Sequence, residues 1–541
     1  MPDEGVSGAA TAGVPSYLEA GGRGWRSWLL TTDHKRIGVL YLVSIIVFFV
    51  AAMALGGILR IQLLSPDGLI VDNGTYNRIL TLHGVTMIFL FIIPGVPAIL
   101  GNFLLPIMLG AEDVAFPRLN LASWYFFIGG AVTALASIAW GGPDTGWTFY
   151  VPYSVQTPTP AYLPLTAVFI IGWSSILTGL NFVTTVHRLR SPRMPWGKIP
   201  LFVWSLYATS WIQVIATPVV GILALLVVAE RVLGVGIFDP TKGGDPLLYE
   251  HIFWIYSHPA VYVMVLPAMG IVSDIIPAFT RRTIFGYGFM VASSLLIAFI
   301  GSLVWAHHMF TSGISDQARV VFSLLTFLVA VPTAIKVFNW IASLYGGSID
   351  LSPPLVLALL FIVQFAIGGL TGLILGSLAP NIHLHDTAFV VAHFHYTMFG
   401  GAASALFAGL FYWLPKMFGR MWNRKAAWAG IALFFVGFNL TYFPLFLAGV
   451  AGMPRRYAQY LPEYTPYHVA STIGSSILIA GLLTLFANLI QGALRGPKAA
   501  ANPWGGQTLE WKTSSPPPVA NFVGEPDLSR HAYDYPEVVE R

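Results

Sequence analysis

Twelve long apolar runs, separated by short polar connections, organise this chain. They lie at about 38–59, 79–110, 119–141, 162–187, 199–229, 250–279, 285–310, 317–345, 353–379, 387–414, 426–448 and 467–494. A hydrocarbon core about 30 Å thick takes roughly 20 apolar residues in helical form. Backbone facing lipid must satisfy its own hydrogen bonds, which a helix does within one segment. The pattern predicts an all-α, polytopic integral membrane protein with twelve transmembrane helices in a lipid bilayer. Residues 1–35 read as a cytoplasmic N-terminal segment, 36–496 as the twelve-helix core, and 497–541 as a Pro-rich cytoplasmic tail containing "NPWGG" and "SSPPPV". The first 35 residues mix Gly, Ala and charges and lack the apolar centre of a cleaved signal peptide.

Composition agrees: 56% of the 541 residues are hydrophobic and 10% charged, where a soluble protein carries about 25% charged residues. The net charge of +4 says little about partners when most charges sit in loops, and no nucleic-acid partner is expected. There is no cysteine, which removes disulfides, thiolate metal sites and covalent haem attachment. Any metal must be held by His, carboxylate or Tyr. Lys and Arg alternate in density from one connection to the next. One set of connections holds 15, among them Arg23, Lys35, Arg188, Arg281 and Arg424, against 7 in the other. The excess marks the cytoplasmic side, so both termini are expected there.

Six histidines fall at one depth of that topology. His83 is expected a few residues into the second run and His258 about eight residues into the sixth. His307 and His308 close the seventh, and His393 and His395 lie in the first turns of the tenth. A lone intramembrane His is ordinarily a hydrogen-bonded core residue, but six in one outer layer point to function, because ionisable groups are rare there. A helix advances 100° per residue. His393 and His395 therefore point about 200° apart, toward two different partners, while His307 and His308, about 100° apart, can converge on one ion. His258 and Tyr262 stand at i and i+4 and share a face. Neutral imidazoles suit copper, iron and zinc, and haem iron commonly takes axial His. The set fits one copper on three histidines, one haem with two axial histidines and one haem with a single proximal His.

The motifs "LHGVTMIF", "GAEDVAFPRLN", "YSHPAVY", "WAHHMF", "VPTAIKVFNW", "HDTAFVVAHFHY" and "GMPRRY" resemble subunit I of the haem–copper terminal oxidases, of the cytochrome c oxidase (aa3) type, over residues 31–511. The resemblance implies a bacterial inner (plasma) membrane enzyme that reduces O2 to water and pumps protons. It implies low-spin haem a on His83 and His395, high-spin haem a3 on His393, and the copper CuB on His258, His307 and His308. Tyr262 would be joined covalently to His258 and supply an electron and a proton. Arg455 and Arg456 would hold haem propionates, in keeping with bidentate guanidinium–carboxylate pairing. Arg60 would stand beside the formyl group of the low-spin haem, and Trp254 near the copper. His385 and Asp386 would bind Mg2+ together with a partner subunit. Electrons would come from cytochrome c or another c-type haem protein through a two-copper centre in subunit II. Subunit III and small subunits are further expected partners.

Two proton routes follow from the resemblance. One passes Lys336, Thr333 and Thr326, with Ser273 as a polar member, and a Lys at that depth is costly. The other starts at Asp113 and runs by Asn102, Asn120 and Tyr41. The common family pattern "GHPEVY" has a Glu where this chain has Ala260. Here "YSHPAVY" resembles the subfamily in which Tyr256 and Ser257, one turn earlier, replace it.

Three rivals remain at this level. A polytopic metal or proton transporter would not explain the opposed His393 and His395 or the Arg455–Arg456 pair. Within the superfamily, Tyr262 and Lys336 favour oxygen reduction over nitric oxide reduction. A quinol oxidase is nearer, but Ala51, Leu55 and Thr75 occupy positions where a charged and polar cluster is expected, which favours cytochrome c as donor.

Overall fold

The computed structural model describes residues 14–22 and 24–535; Arg23, counted above among the cytoplasmic charges, lies outside the described residues. Twelve helices form the bundle: α1 (His34–Gln62), α2 (Asn73–Leu109), α3 (Pro117–Trp140), α4 (Tyr162–Arg188), α5 (Leu201–Leu233), α6 (Pro246–Thr280), α7 (Tyr287–Gly301), α8 (Asp316–Leu344), α9 (Pro353–Gly376), α10 (Ala388–Phe418), α11 (Arg424–Val450) and α12 (Pro462–Arg495). All but α7 are long and apolar enough to cross a membrane. Among the described residues, backbone pairing in the manner of a sheet is limited to three isolated bridges.

The helices divide into enclosed and peripheral ones. In their most apolar stretches, α2 and α6 are 89% buried within the bundle and α10 is 83% buried, against 28% for α1 and 22% for α8. Four of the six histidines thus ride on the three most enclosed helices, where a polar ring meets protein rather than lipid.

Several helices begin before their apolar runs do, and in α2 and α6 this sets the depth of a histidine. Asp72 accepts from the Thr75 N–H and starts α2 at Asn73, and Asp245 accepts from the Leu247 N–H and starts α6 at Pro246. Such caps satisfy donors that the first turn leaves free, in residues too polar to register as apolar. His83 and His258 are consequently ten and twelve residues inside their helices, deeper than the runs suggest.

The seventh run is not one helix. Regular α-structure stops at Gly301, and a 3-10 turn over Trp305–Met309 carries His307 and His308. The expected 100° between them is therefore replaced by the roughly 120° of a three-residue turn. In α10 the α-geometry ends at Phe394 and a π-helical segment spans His395–Ala403, a local widening frequent at functional sites.

The described chain after α12, to residue 535, packs against the bundle. Leu509, Trp511, Tyr533 and Tyr535 are buried. The Lys416 ammonium donates to the Thr513 carbonyl at 2.8 Å and the Ser514 carbonyl at 3.0 Å. Asn521 accepts from Lys35 Nζ at 2.8 Å and donates to the Ala111 carbonyl at 2.8 Å. The end of the bundle bearing this tail also carries Tyr17, whose N–H donates to the Pro517 carbonyl.

Candidate active site

A cavity of about 770 Å³ opens between the helices toward the end opposite the tail. All six histidines line it, and its remaining walls are mostly apolar. In three of them Nδ1 donates to a backbone carbonyl: His83 to Ala52 at 2.8 Å, His393 to Gly368 at 2.9 Å and His395 to Val391 at 2.8 Å. A carbonyl only accepts, so Nδ1 carries the hydrogen and Nε2 keeps its lone pair. That arrangement orients metal-ligating histidines.

The bundle clears space for these rings. A Cβ added at Gly56 of α1 would lie 2.9 Å from the His83 ring, and one at Gly372 of α9 would lie 3.0 Å from the His393 ring. His393 is bonded toward α9, whereas His395 stacks on Tyr442 of α11 with ring centroids 4.1 Å apart. The opposed directions expected from sequence are present, although the backbone changes type between the two residues.

His258, His307 and His308 offer nitrogens that all lie within 4.8 Å of one another, the one such group of His or acidic side chains among the described residues. Their ring centroids are 4.4 to 5.3 Å apart. His258 Nδ1 stands 3.1 Å from His308 Nε2, while His258 Nε2 is buried without a partner. The His307 Nδ1–H donates to Thr326 Oγ1 at 2.8 Å, because that hydroxyl already gives its hydrogen to the Phe322 carbonyl. Trp254 stacks on His308 at 3.7 Å and donates its indole N–H to Tyr150 at 2.6 Å. The Tyr262 ring lies 4.9 Å from that of His258. Three neutral imidazoles converging in an apolar wall form a donor set suited to copper, iron or zinc.

Arginines stand at two places on the wall. Arg60 donates to the His468 carbonyl at 3.2 Å, and its buried Nε–H has no partner. Arg455 is paired with Asp386, and Arg456, held at φ +70°, reaches the cavity beside Gly146. Burial, and then the neighbouring Arg455 charge, depress the Arg456 guanidinium to about 10. An anionic group there would relieve that cost. Burial pushes the Asp386 carboxyl up, but the Arg455, His385 and Arg456 charges and the Arg455 hydrogen bond together outweigh it, and the net displacement is downward. His385 Nε2 lies 3.9 Å from the Asp386 carboxylate, so the two residues expected to share a cation stand together.

Other predicted residues fall elsewhere. Thr326, Thr333, Tyr256 and Ser257 line the cavity. Lys336, buried in α8, donates to the Met290 carbonyl at 3.2 Å and does not reach the wall. Ser273 accepts from the Trp340 indole at 3.0 Å. Asp113 sits in the loop after α2, where burial raises its carboxyl to about 7. Asn102 and Asn120 are buried with unpartnered side-chain atoms, and Tyr41 bonds Ser123 and Ser174 at 2.9 Å each. Ser123 and Ser174, Tyr150, Tyr442 and the two glycines were not legible from the motifs. Each acts through a neighbour on another helix, and no local spacing signals that.

Residues 36–477 match the family described as Cytochrome C and Quinol oxidase polypeptide I. The chain is 43% identical over 515 residues to cytochrome c oxidase subunit 1 of Synechocystis sp., covering 95% of this chain and 93% of the other. It is 39% identical over 513 residues to the probable quinol oxidase subunit 1 of Staphylococcus haemolyticus, covering 93% and 77%. The fold is similar to that of a chain in a solved haem–copper terminal oxidase dimer, at TM-score 0.75 and 22% identity, covering 87% of this chain and 85% of that one.

Proposed function

Because the chain belongs to the family of cytochrome c and quinol oxidase polypeptide I, the oxidoreductase subunit I of haem–copper oxidases, we propose that it reduces O2 to water with electrons from cytochrome c, coupled to proton uptake and pumping. The observation that carries this reading is the triad His258, His307 and His308 on the same cavity as His393. The triad would hold CuB, His393 the iron of haem a3, and His83 with His395 the iron of haem a. When bound, these groups supply the oxygen-binding centre and the electrons.

The chain's own residues do the rest. Hydrogen bonds from Nδ1 of His83, His393, His395 and His307 keep the other ring nitrogen free as a ligand. Trp254, stacked on His308, and Thr326, bonded to His307, stiffen the copper side. Tyr262 is the nearest phenol to the triad and would give up a proton and an electron when the O–O bond breaks. Arg456 and Arg455 would pair haem propionates, and Arg60 would donate its free Nε–H to a formyl oxygen. His385 and Asp386 would hold Mg2+ with an oxygen ligand from a partner subunit, since that ion prefers oxygen. Lys336 with Thr333, Thr326 and Ser273 would bring protons to Tyr262. Asp113, raised to about 7, is poised to collect them at neutral pH for the Asn102–Asn120–Tyr41 route. Both termini would be cytoplasmic in a bacterial inner membrane. The cysteine-free chain needs a separate subunit II to relay electrons.

The quinol reading is favoured by the Staphylococcus haemolyticus relative and opposed by Ala51, Leu55 and Thr75. Oxidation of reduced cytochrome c, and not of a quinol, by the purified complex is the expected outcome.

Two tests bear on the centre itself. Carbon monoxide should bind one reduced haem of the purified complex, and His393→Asn should erase that signal while leaving the low-spin haem bands. A wild-type complex whose haems bind no carbon monoxide would sink the oxidase reading. Separately, His258 and Tyr262 should be linked by a C–N bond, formed with loss of two protons and two electrons, which O2 takes up during turnover. Peptide mass mapping should find the two residues on one cross-linked species about 2 Da lighter than the sum of their unlinked forms; recovery only of unlinked forms would contradict it.

A further inference from the structure

On α5, Thr209, Gln213 and Thr217 follow one another at intervals of four and so share a face. All three are buried, at 0%, 3% and 2% exposure. Thr209 Oγ1, Gln213 Oε1 and Thr217 Oγ1 have no hydrogen-bond partner in the chain. This is not how hydroxyls elsewhere in the same helix behave. Ser205 and Ser210 donate to the carbonyls four residues back, Leu201 at 2.9 Å and Leu206 at 2.7 Å. Buried polar groups in folded proteins are satisfied by protein or by water. Three in a row along one helix face ask for a file of water.

The packing locates that face. Gly270 of α6 lies against α5 so closely that an added Cβ would be 2.8 Å from both the Phe202 Cα and the Ser205 Cβ. From that contact, Thr217 is twelve residues along α5 and His258 twelve residues along antiparallel α6, each about 18 Å on. Thr217 is therefore level with His258, and its hydroxyl faces that of Tyr256. Gln213 is level with Tyr262. Ala260, small and buried, falls between the two levels. On the α4 side, added Cβ atoms at Gly172 and Gly179 would lie 3.4 Å from Thr217 and 3.0 Å from Gln213, so the stripe runs along the seam of α4, α5 and α6. Ser257 Oγ, across the seam and on the cavity wall, is also buried and unpartnered. Beyond Thr217 the seam becomes apolar, with Val168, Val220, Ala224 and Phe253 around a small void. A water file there has one polar exit, past Tyr256 and Ser257 into the cavity.

We propose that Thr209, Gln213 and Thr217 hold a water file that delivers protons to Tyr256 and Ser257, supplying from α5 the polar side chains that Ala260 of α6 lacks. This rests on the oxidase reading above. The three are positioning residues: they orient water and carry no net proton themselves. An amide and two hydroxyls do this by donating and accepting at once.

The test uses the purified holoenzyme reconstituted in vesicles, comparing wild type, Gln213→Leu, Thr217→Val, Thr217→Ser and the control Ser210→Ala. Thr217→Val keeps the shape of the side chain and removes only its hydroxyl, so loss of folding does not confound it. Haem spectra and carbon monoxide binding should match wild type in every variant. Proton uptake during turnover should slow by at least roughly tenfold in Gln213→Leu and Thr217→Val, with protons ejected per electron falling in step. Thr217→Ser should restore both, and Ser210→Ala should change neither. Infrared difference spectra on carbon monoxide photolysis should lose water O–H bands in the two slow variants, which a purely structural role would not remove. Normal proton ejection and unchanged water bands in both would overturn the inference while leaving the oxidase reading standing. A wild-type complex that binds no carbon monoxide would instead remove the reading beneath it.

Discussion

His308→Asn is expected to empty the copper site and to lower oxygen consumption by about a thousandfold or more, equivalent to roughly 4 kcal/mol at the barrier. The site has three nitrogens within 4.8 Å, and removing one leaves two neutral ligands, too few for the three-coordinate donor set. Asn also forfeits the stacking surface that Trp254 offers at 3.7 Å. Metal analysis of the wild-type complex should give one CuB in excess of the subunit II copper, and one magnesium, per chain; the variant should lose the former only. The low-spin haem would be held by His83 and His395, which are bonded to other backbone carbonyls, so its spectrum should persist. Full activity in His308→Asn would exclude the triad as the oxygen-reducing site.

The second large effect is expected from Lys336→Met. The ammonium is fully buried and its one protein hydrogen bond goes to the Met290 carbonyl at 3.2 Å. Burying a Lys in mid-membrane costs about 2.5–3.5 kcal/mol on insertion scales, so replacement by Met should leave thermal stability equal or higher. Turnover should nevertheless fall by roughly 100-fold, the scale of a lost general acid–base group. The opposite movement of the two readouts separates proton delivery from packing. Near-normal steady-state oxygen consumption would rule Lys336 out of the proton route.

Much of this site was legible along the chain because the membrane simplifies the code. A run of about twenty apolar residues has one stable form, so helix existence and order followed from hydropathy. Within those runs, six histidines and a lysine stood out because lipid makes each costly, and helical spacing alone separated His393 from His395 and paired His258 with Tyr262. The ends of elements were less legible. Asp72 and Asp245 extend α2 and α6 through polar first turns that no apolar count registers. The seventh run is apolar enough overall to read as one helix, yet turns from α to 3-10 before His307.

What only the tertiary structure decided is which nitrogen of each ring is free and what stands behind it. His83 depends on the Ala52 carbonyl of α1, His393 on the Gly368 carbonyl of α9 and His307 on Thr326 of α8. None of these contacts has a spacing in the sequence. The same holds for the clearances at Gly56 and Gly372, for the Trp254–His308 stack, and for the tail folded against α10. By itself the sequence determined the helices, their order and the residues worth placing at depth, because the cost of a polar group in lipid is paid locally, residue by residue. The direction of each side chain was set by the helices packed around it, because hydrogen bonds and close packing are properties of pairs brought together from distant parts of the chain.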